Sequence, residues 1–219
     1  MFPPEDATEE EPYPFKDIIV SDRAFPNIRL VPFSSLRSDE DIKSTYLSWL
    51  NDGEVVRSIA SPALLNLKGE EFVEESFLRF TKPDSRGFFV YFIPEKTFIG
   101  TAKLDGISSH CRSAWDGIMI GDRRYHGRGF SAPIYRILLS FGFKKLGLNR
   151  VSGGCNENNL PMLKTFARLG YRLEGRLRQA DFIEGQFSDH LYFGILRNEF
   201  LGHHDVDLEL GLDYRDVAS

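Results

Sequence analysis

Two apolar stretches, GFFVYFI at 87–93 and TFIGTAKLDGI at 97–107, are rich in aromatic and β-branched residues and are separated by Pro94–Lys96, a composition that predicts a β-hairpin. A third strand is predicted from Arg112 to Gly121. The period then changes. Phe130, Ile134, Ile137, Leu138 and Phe141 fall at i, i+4, i+7, i+8 and i+11, the apolar stripe of an amphipathic helix. Pro133 lacks an N–H and is tolerated only in a first turn, so this helix should begin between Gly129 and Ser131. NRVSGG at 149–154 reads as a strand, the segment from Asn159 as a second helix, and 172–182 and 187–197 as two closing strands. Upstream, NIRLVPF at 27–33 reads as the first strand. SDED at 38–41 supplies a cap and first-turn acids to a helix ending near Leu50, and a further helix covers Gly69 to Phe80. The pattern is that of one α/β (α+β) domain in which an antiparallel half precedes a strand–helix–strand half.

Between the third strand and its helix lies a cationic glycine loop in which Arg124, Gly127 and Gly129 stand as R-x-x-G-x-G, with Arg123 and Arg128 alongside. Glycines there allow successive N–H groups to converge on one concavity, and a helix N-terminus opening onto it favours an anion. A diphosphate fits this description. A P-loop is excluded, because no Lys-Ser or Lys-Thr follows the second glycine. Gly127, Gly129 and Ala132 spell G-x-G-x-x-A, but Asp122 to His126 separate the strand from the first glycine, whereas the dinucleotide turn is tight; no acid follows at the next strand's end. The remaining alternative is a plain strand-to-helix connection with solvated arginines.

The run from this loop through Asn159 to Leu169-Gly170-Tyr171 and Glu174-Gly175 resembles the GNAT superfamily of acetyl-CoA-dependent N-acetyltransferases, over roughly residues 27–198. Tyr46 to Arg57 looks like the opening of the ribosomal-protein alanine acetyltransferase branch. WLND-x-EV, GIMIGDR at 117–123 and Met162 lean toward its amino-sugar-acetylating relatives. The resemblance implies a mixed, mostly antiparallel sheet splayed at a central parallel pair, with helices on both faces. It also implies acetyl-CoA as the acetyl donor, its diphosphate on the amides of His126, Gly127, Arg128, Gly129 and Phe130 beside Arg124. The pantetheine arm would follow the strand edge at Ile118, Met119 and Ile120, and Asn159 would meet the pantetheine or the thiol end. Asn159 before Leu-Pro is equally an ordinary helix N-cap.

The chemistry implied is direct attack of a neutral primary amine on the thioester in a ternary complex. The sequence departs from the family where protons are handled. Phe166 stands near the thiol end where many members have a tyrosine, Met162 where many have a serine, and Trp115 where relatives have the acidic residue. Asp116, one residue later, should face the other side of the strand unless a bulge restores it. Asp116, Glu157 and a water relay are rival bases. Trp49, Asn51 and Arg57 lie where the resemblance puts the acceptor wall, and Trp49 is equally a core residue of an amphipathic helix. Asp189 and His190, on the last strand, are further candidates to reach the acceptor. An amino sugar or nucleotide-amino-sugar, a protein N-terminus, and an acyl-CoA-binding module without turnover remain as readings.

Composition agrees with one domain: 219 residues, 42% hydrophobic with 19 phenylalanines, suffice for a single core. A formal net charge of −5 argues against a general nucleic-acid binder. The apolar runs are too short to span a membrane and the start lacks a basic-then-apolar signal, so a cytoplasmic location is expected. Cys111 and Cys155 are far apart without a CxxC, which supports neither a disulfide framework nor a metal site. Residues 1–26 read as an acidic, proline-rich extension, 27–200 as the domain, and 201–219 as a loosely packed acidic tail. Pairing of subunits through C-terminal edge strands is an expectation of the resemblance.

Overall fold

The computed structural model describes residues 18–59, 66–205 and 207–211. The strands are β1 (Ile19–Asp22), β2 (Ile28–Pro32), β3 (Ser85–Phe92), β4 (Thr97–Ser108), β5 (Ser113–Ile120), β6 (Arg150–Asn156), β7 (Arg172–Ile183), β8 (Gln186–Leu196) and β9 (Leu208–Gly211). The helices are α1 (Glu40–Leu50), α2 (Gly53–Ile59), α3 (Glu70–Arg79), α4 (Ser131–Lys144), α5 (Leu160–Leu169) and α6 (Arg197–His203). The strands form one sheet in the order β7-β8-β6-β5-β4-β3-β2-β1-β9. Every neighbouring pair is antiparallel except β5 and β6. That parallel pair holds register only at Ser113↔Arg150, Ala114↔Val151 and Trp115↔Ser152, after which the two strands part.

Two apolar layers cover the two faces. On one, α4 buries Ile134, Ile137, Leu138 and Phe141 against Val90, Leu104 and Val151, and α5 adds Phe166 and Leu169. On the other, α1 and α3 bring Ile42, Tyr46, Val73 and Phe77 onto Val31 and Phe89. Phe33 is the hub of this second layer. It stacks on Phe89 at 4.2 Å between centroids and meets Tyr46, Phe77 and Phe80 edge-on at 5.6, 4.8 and 5.0 Å.

Helix starts follow the sequence closely. Asp39 caps α1 by accepting from Ile42 N at 3.1 Å, α4 opens at Ser131, and Asn159 caps α5 by accepting from Met162 N at 3.1 Å. The domain limits expected at 27 and 200 are too narrow. Ile19–Asp22 lies at 0–5% exposure and pairs with Leu208–Gly211, so segments assigned to the extension and the tail complete the sheet. The Pro-rich stretch before residue 18 lies outside the described residues. The turn at Pro94–Lys96 is as expected, closed by Lys96 at φ 48.

Replacing Phe33 by alanine leaves a hole at the meeting point of four rings. Urea denaturation should show a loss of about 3–5 kcal/mol, the usual cost of a buried Phe→Ala change.

Candidate active site

The departure of β6 at residue 115 leaves the far part of β5 with an open edge. Gly121 N–H donates to Ile99 O at 2.9 Å, so alternation along the antiparallel ladder turns the N–H and C=O of Ile118 and Ile120 away from β4, toward the gap. The Ile120 carbonyl meets His126 Nε2 at 2.8 Å, while the Ile118 peptide groups face the opening. By the same alternation the Met119 peptide groups bond to β4, so its contribution is a side chain on the other face.

Beyond this edge a cleft of about 350 Å³ is lined by Ile118, Met119, Ile120, Tyr125, His126, Gly127, Gly129, Phe130, Ser131 and Ala132, and across from them by Asn159, Met162 and Arg168. Gly127 and Gly129 adopt φ 70 and 83, and a Cβ at either would meet open space, so the requirement for glycine is one of backbone conformation. No side chain caps α4, whose first N–H groups open on the cleft. Curved amides, a bare helix N-terminus and an open strand edge in one line fit an extended molecule ending in phosphates.

The arginines of the loop stand outside the cleft. Arg124 forks onto Asp122, with Nη2 to Oδ2 at 2.6 Å, and Arg128 lies over the Tyr125 ring at 5.1 Å. Their charge reaches the cleft only as a field at its rim. Phe166, expected beside the thiol end, is wholly buried against Tyr171, Phe193 and Tyr135 and forms no part of the cleft wall.

A second hollow of about 220 Å³ lies on the α1–α3 face, bounded by Tyr46, Phe72, Ser76, Arg79, Thr101, Lys103 and Gly117. The two hollows share Ile59, Ile118 and Met119, so they meet across β5.

The residues expected on the acceptor wall are otherwise engaged. Trp49 is 6% exposed and packs so tightly on Gly121 that a Cβ there would lie 2.1 Å from its ring. Asn51 spends both ends of its amide on Lys68, donating to its carbonyl at 3.0 Å and accepting from its N–H at 2.7 Å. Arg57 pairs with Glu54 and with Glu184 of the β7–β8 turn, each at 3.0 Å. Amphipathic spacing marks these residues as facing inward or sideways but does not tell packing from ligand contact.

Asp116 keeps the strand alternation; no bulge interrupts β5 at this point. Its carboxyl is enclosed on the α4 face, where Tyr135 donates to Oδ1 at 3.3 Å and Tyr171 to Oδ2. Burial pushes it up to about 7, with the two phenols pulling the other way. A Cβ on Gly153 would lie 2.5 Å from Asp116 Oδ1, so the carboxyl rests on the glycine where β6 begins to diverge. Glu157 is committed to the β7–β8 hairpin, accepting from Asp189 N at 2.9 Å and from Arg176 at 3.3 Å. Among the described residues no group of three or more His, Cys, Asp or Glu could hold a metal ion, and no helix is long and apolar enough to cross a membrane.

Residues 29–172 match the acetyltransferase (GNAT) domain, about two thirds of the chain. The chain belongs to the GNAT acetyltransferase family. Members of the family are acetyl-CoA-dependent N-acetyltransferases. The chain is 31% identical over 104 residues to an uncharacterized N-acetyltransferase p20 of Bacillus licheniformis, covering 48% of this chain and 58% of that protein. It is 28% identical over 80 residues to a spermidine N(1)-acetyltransferase of Escherichia coli K12, covering 36% of this chain and 43% of that one. These matches span only about half the length of the curated relatives. Among solved structures, a spermidine N-acetyltransferase from Vibrio cholerae in complex with CoA and spermine superposes with a TM-score of 0.59 at 19% identity, over 84% of this chain and 98% of that one. A chimera of the Vibrio cholerae enzyme and hSSAT gives 0.64 at 21%, over 84% and 99%. At these identities the superpositions establish the fold.

The enclosed carboxyl of Asp116 makes stability depend on pH. Its folded-state value lies above the ordinary carboxylate range, so the folded chain holds more protons than the unfolded one between about pH 4 and 7, and stability falls as pH rises through that window. Asp116→Asn removes this slope. Chemical denaturation at pH 5 and pH 8 should show the variant gaining about 1–3 kcal/mol on the parent chain at the higher pH.

Proposed function

We propose that this chain transfers an acetyl group from acetyl-CoA to a primary amine within a ternary complex. The observation that carries this reading is the pair of hollows that approach β5 from its two faces and meet at Ile118–Met119. The loop from His126 to Phe130 and the start of α4 would hold the phosphates, and the open edge at Ile118 would pair with the extended arm. Acetyl-CoA supplies an activated acyl group. The chain supplies alignment, which can be worth about 7–11 kcal/mol, and an N–H at Ile118 placed to hydrogen-bond a developing oxyanion. Asn159 has its side-chain oxygen engaged as the α5 cap, and its place on the cleft wall is compatible with contact to the arm.

For the acceptor we favour an amine on a neutral or anionic molecule, with an amino sugar or nucleotide-amino-sugar as the specific candidate. Arg79 and Lys103 border the acceptor hollow, and both lean on the single carboxylate of Asp105. That leaves a surplus of positive charge, which opposes a polycation. The relatives named as spermidine acetyltransferases motivate a polyamine as the second reading.

Calorimetric titration with acetyl-CoA should show saturable binding that Gly129→Val weakens about tenfold, since a β-branched residue at φ 83 costs roughly 1–2 kcal/mol. Unchanged affinity would remove the loop from the site. In a thiol-release assay, glucosamine and its nucleotide derivatives should be turned over faster than spermidine; the opposite order would replace the acceptor assignment by a polyamine.

A further inference from the structure

Past Trp115↔Ser152 the sequence of β6 is Gly153-Gly154, and each glycine accommodates a chemically active side chain on a different face. Gly153 accepts Asp116. A Cβ on Gly154 would lie 2.6 Å from His190 Nε2, on the opposite face, the one that carries Trp115 and Tyr192. Register carried forward from Trp115↔Ser152 sets Gly154 level with Gly117, one residue from Ile118. The His190 imidazole therefore lies over Gly154, beside the parting of β5 and β6 on the face that carries Trp115.

His190 is held in a defined orientation. Nδ1 lies 3.0 Å from Asp181 Oδ2, and Asp181 is 7% exposed. Asn156 Nδ2 donates to the same oxygen at 2.8 Å and to Ser188 Oγ at 2.6 Å. The Asp181 position depends on an irregularity in β7: the pairing shifts between Leu177↔His190 and Asp181↔Ser188, with Gln179 at φ 53. Gln179 N–H is fixed by Asp189 Oδ1 at 2.9 Å, and Asp189 is fixed by Arg176 at 2.9 Å. Bulges of this kind re-aim side chains. This one brings a buried carboxylate onto a histidine ring whose other nitrogen has no hydrogen-bond partner among the described residues. A carboxylate on Nδ1 selects the Nδ1–H tautomer and leaves a lone pair on Nε2.

We propose that His190, oriented by Asp181, accepts the proton of the amine; this rests on the acetyl-transfer reading above. As the amine nitrogen bonds to the acetyl carbonyl carbon and the carbon–sulfur bond breaks, the electron pair leaves on sulfur. The ammonium proton passes to Nε2, and the imidazolium returns it to solvent. The groups facing the ring are Asp181 on β7, Asn156 on β6, and Ser188 and Tyr192 on its own strand. The Cys155 thiol, pushed up to about 11 by burial and then by Asp181, stays neutral over the working range.

Nitrogen-15 correlation spectra of the full chain, with the His190 signals assigned through His190→Gln, should show a neutral ring protonated on Nδ1; an Nε2–H tautomer overturns the proposal without any turnover being needed. In acetylation assays His190→Gln should lower kcat by about 10²–10⁴-fold, with acetyl-CoA affinity unchanged. Asp181→Asn should convert the ring to the other tautomer and lose part of the same rate. A folded His190→Gln variant with parental kcat refutes the role. Failure of the parent chain to bind acetyl-CoA would refute acetyl transfer instead, and the tautomer measurement distinguishes the two failures.

Discussion

The parting of β5 from β6 is the constraint from which the rest of the site follows. Three residue pairs hold the strands parallel, and beyond them the Asp116 carboxyl rests on Gly153 and is held from behind by Tyr135 and Tyr171. Once the strands separate, the Ile118 peptide has no sheet partner on that side and leaves an open edge. The sheet stays continuous on either side because β4 and β8 remain fully paired with their neighbours. A gap in the middle of a sheet is thus supported by order at both of its margins.

The features proposed to hold a donor belong to the backbone, whereas those proposed to move protons are side chains. The glycine loop, the uncapped α4 and the open β5 edge are backbone features, insensitive to most substitutions. Side chains at the gap are more free to differ. Trp115 lies edge-on to Tyr192 at 5.5 Å, Phe166 joins an aromatic core, and the Asp116 carboxyl, one residue along, faces the other layer. Alignment outweighs any single acid or base by several kcal/mol, so such a rearrangement is compatible with catalysis.

Much of the fold was legible because its elements announce themselves locally. The stripe from Phe130 to Phe141, the Asp39 and Asn159 caps and the Pro94 turn each predict an element that the structure contains. β1 and β9 were missed for a physical reason: strands of four residues carry too little periodicity, although Leu208-Glu-Leu210 does alternate. At the site, the turn at Gly127 and Gly129 and the start of α4 were readable from glycine and proline, whereas the neighbours of the side chains were not. Trp49, Asn51 and Arg57 are plausible ligand residues by type, and only three-dimensional neighbours show them spent on Gly121, Lys68 and Glu184. Asp181 and His190 are nine residues apart on strands whose register a bulge alters, so no spacing rule brings them together.

The pairing of Ile19–Asp22 with Leu208–Gly211 has a consequence for how the polypeptide is made. The first and last strands among the described residues are partners, so this rim of the sheet must wait for Leu208–Gly211 to leave the ribosome, while the β3–β4–β5 meander can assemble from neighbours as soon as they emerge. The same pairing brings both extremities of the folded unit to the rim farthest from β7. A chain cut elsewhere in a surface turn and rejoined there would preserve the strand order and leave the gap between β5 and β6 untouched.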